Sequence, residues 1–155
     1  PHDLYEYPCY ITENNNGDVV VSDDDRVVVT SGGGVHRFSY TGPPSGSGIF
    51  RPRGICTDVM SHILVRDEWT DTVQMLDRDG QFLFFVLTRQ TPGMDYTPGG
   101  LSYDVTTHTV WVGSYDDNTM SVCQYITRHL HLAGKSQYYY IRCNYLKYSY
   151  LFYND

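Results

Sequence analysis

Apolar positions in this chain fall in short runs rich in Val, Ile, Phe and Tyr, separated by polar or glycine-containing bends. The stretch 55–87, ICTDVMSHILVRDEWTDTVQMLDRDGQFLFFVL, shows the pattern most clearly. It predicts four strands, at 55–58, 63–66, 72–76 and 81–87. The bends between them are MSH, DEWTD and Arg78-Asp79-Gly80, where glycine can take positive φ at little cost. Successive strands this close together are antiparallel, and four of them in one stretch make a small sheet that cannot bury both of its faces alone.

Copies of the same pattern lie on either side. Upstream, residues 10–42 run through an apolar start, a bend at Gly17, VVVSD, an acidic loop, RVVV, a glycine-rich bend and an aromatic fourth strand. Downstream, residues 100–126 repeat the first three strands. Ile11, Ile55 and Leu101 are equivalent, 44 and 46 residues apart, and Val21, Val65 and Val112 are equivalent, 44 and 47 apart. A period of this size marks blade-type repeats, so the chain is predicted to be an all-β, incomplete β-propeller: two blades plus most of a third, each four-stranded and antiparallel. Residues 1–9 read as the end of a preceding blade or a linker. The blades are placed at about 10–50, 51–97 and 98–127, and residues 128–155 form an atypical tyrosine-rich tail. A generic antiparallel sheet with similar strand spacing is the alternative.

The middle repeat resembles an NHL repeat through Ile55 and Asp58, then Ile63, Val65 and Asp67, Val73 and Gln74, Asp77, Gly80, and Phe82 with Leu83. Over residues 10–126 the chain is similar to the C-terminal propeller of invertebrate tripartite-motif (TRIM-NHL) proteins. Ser61 stands where the pattern has a bend glycine, and Gly113-Ser114 where it has Ala-Asp. The resemblance implies a non-catalytic target-recognition propeller of a ubiquitin-ligase protein. Its RING, B-box and coiled coil would precede this chain, so no ligase activity is expected here. NHL-like propellers usually close with six blades, and Pro1 stands where an initiator Met would, so the chain reads as a fragment or truncated product. Missing blades or self-association would then close the ring.

Strand order fixes which loops share a face. The loops between second and third strands gather with the crossovers between blades, and propellers commonly bind partners across such a face. Trp69 sits there in an acidic turn. Because Trp and Arg are frequent interface hot spots, the expected contact residues are Arg51, Arg53, Arg66, Trp69, Asp71 and Tyr115. Packing of Trp69 on a neighbouring blade is the alternative. The motif Glu68-Trp69-Thr70-Asp71 is similar to YWTD propellers, but Asp71 falls inside the loop rather than at the strand end, where Asp67 stands.

Charge bears on the partner. Residues 1–127 hold 7 Lys/Arg against 17 Asp/Glu, whereas residues 128–155 hold 4 against 1. An acidic propeller is a poor match for phosphate, so a protein partner is expected before RNA. The acidic loops are read as solvated turns rather than Ca²⁺ sites. The four cysteines are scattered without a C-x-x-C pair, and Cys56 and Cys123 fall in apolar strands as buried free thiols, which suits a reducing, cytoplasmic compartment. There is no apolar run near 18 residues and no signal peptide, so no membrane span is expected.

No catalytic residue, cofactor or metal is expected. An alternative is a six-bladed, lactonase-like, metal-dependent hydrolase, whose inner-strand ligands would be Asp58, Asp104 and Glu13. His36, His62 and His108 read as isolated, and His129 with His131 as a chance pair. In the tail, the expected Gly and F-L of a fourth strand are missing and seven tyrosines follow from Tyr138. That segment reads either as a stacking surface for single-stranded nucleic acid or, in preference, as a coding artefact replacing the end of the third blade.

Overall fold

The computed structural model describes residues 4–46, 48–92, 94, 96–116, 118–128 and 138–147. Twelve strands form three four-stranded antiparallel sheets. The first holds β1 (Tyr10–Glu13), β2 (Val19–Ser22), β3 (Val27–Thr30) and β4 (His36–Tyr40). The second holds β5 (Pro52–Thr57), β6 (Ile63–Asp67), β7 (Thr72–Leu76) and β8 (Phe82–Leu87). The third holds β9 (Pro98–Asp104), β10 (Thr109–Ser114), β11 (Thr119–Arg128) and β12 (Tyr138–Lys147). Each sheet is a meander in chain order, as a propeller blade requires. Among the described residues no helix is long and apolar enough to cross a membrane.

The repeat alignment reappears as strand register. Ile11 pairs with Val21, Ile55 with Val65, and Leu101 with Val112. The residues that mark the period are therefore cross-strand partners in all three blades. β1 lies against β5, and β5 against β9, so the first strands of successive blades stand side by side. Their approach is close: a Cβ on Gly54 would come 3.0 Å from the Gly99 carbonyl oxygen.

The core lies between blades. Val20, Val27, Val29 and Tyr40 of the first blade pack with Phe50, Ile55, Ile63, Val65 and Leu76 around the second. The other face of the second blade, with Cys56, Leu64, Val73 and Met75, packs with Met94, Val110, Val112 and Cys123. Alternate residues of β6 and β7 thus serve two interfaces, which is why every residue of both strands is buried. Cys56 and Cys123 are buried in the core as expected; Cys56 is a free thiol, and Cys9 is exposed and free.

One feature of the third blade differs from the sequence reading. Its fourth strand is present, drawn from the tyrosine-rich segment, and β12 pairs with β11 from Thr119↔Lys147 to Arg128↔Tyr138. An outermost strand is held mainly by the backbone ladder, so β-forming residues suffice there without the Gly and F-L signature. His129 and His131 lie outside the described residues, as do positions 148–155 of the tail.

Candidate functional site

The face that carries the β2–β3, β6–β7 and β10–β11 loops also carries the crossovers between blades. One of its carboxylates in each blade is engaged with backbone. Asp23 accepts from the Glu6 and Tyr7 N–H groups. Asp67 accepts from the Arg51 N–H at 3.0 Å, the Trp69 N–H at 3.0 Å and the Thr70 hydroxyl at 2.7 Å. Asp116 accepts from the Thr97 N–H at 3.1 Å and the Ser114 hydroxyl at 3.0 Å. In each blade, then, a carboxylate at or just past the C-terminal end of the second strand fastens the segment that leads into the blade. Asp23 and Asp67 are buried acceptors here, not the solvated turn residues the sequence suggested. Asp117 lies outside the described residues.

Between the second and third blades this face opens into a pocket of about 300 Å³ lined by Asp71, Arg89, Met94, Tyr96, Thr97 and Asp116. Asp71 takes positive φ (52°) and is buried, with its carboxylate ion-paired to Arg89. The Thr97 N–H, with help from the Ser114 hydroxyl, holds the Asp116 carboxyl below the usual carboxylate range. The Tyr96 hydroxyl is turned inward, bonded to Ser121 and to the Val112 carbonyl oxygen. Met94 belongs both to the pocket lining and to the core beneath it.

The six expected contact residues divide into three groups. Asp71 lines the pocket. Trp69 and Tyr115 come from the loops that bring Asp71 and Asp116, and stand 53% and 79% exposed. Arg51 and Arg53 sit on the other side of the 68–71 loop, toward the first blade. There the Arg51 carbonyl accepts from the Glu68 N–H, and the Arg53 Nε meets the Glu68 carboxylate at 3.1 Å. Arg66 is not a surface residue: it is 4% exposed, within β6. The sequence places the crossover 88–98 on this face without singling out Arg89 and Tyr96 as contact residues. The signal for Tyr96 was the repeat itself, because it occupies the crossover position that buried Phe50 holds one blade earlier.

The opposite face carries Asp58, Asp104 and Glu13. Asp58 accepts from the Met60 and His62 N–H groups and contacts the His62 Nδ1 at 2.7 Å. Asp104 accepts from the Thr106 N–H and the Thr107 hydroxyl, which hold its carboxyl below the usual range. These carboxylates close their own turns. Among the described residues no three His, Cys, Asp or Glu side chains converge as metal ligands, so the proposed ligand trio does not fit a metal site. The histidines are not isolated either: His62 pairs with Asp58, His108 Nδ1 lies 2.9 Å from the Tyr103 hydroxyl, and His36 Nε2 lies 2.9 Å from the Ser39 hydroxyl.

No family model and no curated protein matches this chain. Solved structures do. Virginiamycin B lyase from Staphylococcus aureus superimposes with a TM-score of 0.58 at 16% identity, covering 74% of this chain and 36% of its own. A catalytically inactive variant of that enzyme with quinupristin gives 0.62 at 14% identity, over 96% of this chain and 44% of its own. A streptogramin B lyase gives 0.59 at 13%, over 90% and 42%. The chain therefore spans less than half the length of these proteins, and at such identities the likeness establishes the fold: an all-β, incomplete propeller. It also overturns two expectations. The non-catalytic, TRIM-type ligase platform finds no support, and the reading of the chain as free of any catalytic role is corrected, because the propellers it is similar to are lyases.

Proposed function

We propose that these three blades belong to a propeller enzyme of the lyase type, with its substrate seated on the loop face over the pocket between the second and third blades. The observation that carries the reading is that pocket. It gathers charged side chains of both signs from two blades, and exposed Trp69 and Tyr115 stand on the loops that form it. The likeness to lyases of streptogramin type supplies the reaction class.

An elimination passes a proton from carbon to a base, here water in the open pocket, and expels a leaving group as an anion that departs with the product. Positive groups fixed near the departing oxygen lower its barrier. Arg89 supplies such a charge, and Asp71 fixes its guanidinium. Asp116, ionised through the neutral range, orients donors on the bound molecule; a carboxylate this well satisfied is a poor proton acceptor. Trp69 and Tyr115 offer flat apolar surface to a ring-containing ligand.

The test is to incubate the purified chain with quinupristin and follow the compound by mass spectrometry and by tryptophan fluorescence. Elimination that opens a ring leaves the mass unchanged, whereas hydrolysis adds one water. The expected result is a product of unchanged mass, with a fluorescence change lost in Trp69→Phe. A product heavier by one water favours the lactonase-like hydrolase instead. Unaltered quinupristin with unaltered fluorescence, from a protein that melts cooperatively, overturns the reading.

A further inference from the structure

We propose that Arg66 anchors a carboxylate carried by the ligand of the loop-face pocket, an inference that rests on the reading above and names the charge of its ligand. Ser22, Arg66 and Gly113 occupy the same repeat position, each one residue past the equivalent valines Val21, Val65 and Val112. The other blades place a small residue there, and the Ser22 hydroxyl accepts from the Tyr10 N–H. An arginine is not required by the blade.

Its surroundings leave it unmatched. Arg66 is 4% exposed, and its Nε is buried with no hydrogen-bond partner. Among the described residues, the carboxylates of the neighbouring loops are committed elsewhere: Asp67 to the Arg51 and Trp69 N–H groups, Glu68 to Arg53, Asp71 to Arg89, and Asp116 to the Thr97 N–H. A guanidinium does not shed its proton in a protein, so burial cannot be relieved by neutralisation. An unpaired buried cation is costly and calls for an anionic acceptor.

Register puts the group next to the pocket's lining residues, though it is not one of them. Arg66 lies directly opposite Val73, and directly opposed residues share a face of the sheet. Val73 belongs to the core between the second and third blades, so Arg66 leaves β6 on that side. It is the last residue but one of β6, at the loop end of the interface, where Met94 passes from core to pocket lining. The planar fork of a guanidinium donates two parallel hydrogen bonds to a carboxylate or a phosphate, and its single positive charge is balanced by the single negative charge of a carboxylate.

The test is the melting temperature of the wild-type chain, Arg66→Met and Arg66→Lys, each titrated with acetate, with inorganic phosphate and with chloride as the ionic-strength control. A carboxylate that binds only the folded state raises the melting temperature in a saturable way. The expected result is a rise with acetate in the wild type, a smaller rise in Arg66→Lys and none in Arg66→Met. Without anion, Arg66→Met melts no lower than the wild type, because a buried charge without a partner has given way to an apolar side chain of similar length. An acetate response preserved in Arg66→Met overturns the inference. So does a response to phosphate alone, or a lower melting temperature of Arg66→Met in chloride, which would mean the protein itself holds the charge. Loss of the lyase reading is separately visible: quinupristin untouched while the Arg66-dependent acetate response persists removes that reading and leaves the carboxylate site.

Discussion

At the scale of single residues, the acidic loop positions act as acceptors for backbone donors. Asp67, 1% exposed, satisfies two N–H groups and a hydroxyl at once. Asp67→Ala leaves these donors without an acceptor and is expected to lower stability by roughly 2–3 kcal/mol in urea unfolding. Asp67→Asn keeps a carbonyl oxygen and should lose about half as much. Equal losses in the two variants would show that the side-chain oxygen is not what fastens the crossover. Cys56 offers a second residue-scale test. Burial, with the Asp58 charge adding to it, pushes its thiol from an ordinary 9.0 up to about 12. A folded-state value above the unfolded one means that this residue's contribution is intact below pH 9 and is lost as pH climbs toward 12. Urea unfolding of Cys56→Val should therefore fall less steeply over that window than the wild type. At pH 8 iodoacetamide should label exposed Cys9 in the folded protein and reach Cys56 only after denaturation, as peptide mapping would show.

At the scale of elements, the strands were legible and some of their ends were not. Residues 63–66, 72–76 and 81–87 were each read within one residue, because β-branched and aromatic runs between polar bends leave little choice. The bends obey backbone geometry more than residue identity. Ser61 stands where the repeat has glycine and still takes φ of 66°, beside Gly17 at 79° in the first blade. Ser61→Gly should raise stability by up to about 1 kcal/mol, offset in part by the greater freedom glycine gives the unfolded chain. Gly80 and Gly34 separate shape from space. Both take φ near +80°, but a Cβ on Gly80 would lie 2.5 Å from the Phe38 ring, whereas one on Gly34 meets nothing within 4 Å. Gly34→Ala should cost about 1 kcal/mol for its backbone alone. Gly80→Ala should cost about 2–3 kcal/mol, because a ring wedged between blades must also move. If the two variants unfold alike in urea, contact between β4 and the β7–β8 turn adds nothing. β12 was not legible, since pairing at an outer edge leaves no signature beyond β propensity. Neither was the Arg66 burial: its residue type suggests surface, and only the two-sided packing of β6 places it inside.

At the scale of the whole molecule, stability comes from interfaces between blades, so a repeat position is worth what its neighbour makes it worth. The interface between the first two blades is polar as well as apolar. The Tyr40 hydroxyl donates to the Gln74 Oε1 at 2.7 Å, and the Asn14 and Asn15 amides donate to the Ser61 and Asp58 carbonyl oxygens at 3.0 and 2.8 Å. Ile11 and Ile55 hold the same place in their blades, and each pairs with the matching valine. Yet Ile11 is 72% exposed, whereas Ile55 is 8% exposed, because Ile55 packs against the preceding blade. Identical substitutions at the two sites therefore measure the interface and cancel the strand. Ile55→Ala should cost about 2–4 kcal/mol, within the usual range for truncating a buried isoleucine, and Ile11→Ala should stay within about 0.5 kcal/mol. Urea unfolding at low protein concentration gives both numbers. A cost at Ile11 approaching that at Ile55 would mean that another blade covers this face in solution. The same pair at rising concentration would then show whether a second copy supplies it, since only an intermolecular cover makes the cost of Ile11→Ala grow with concentration.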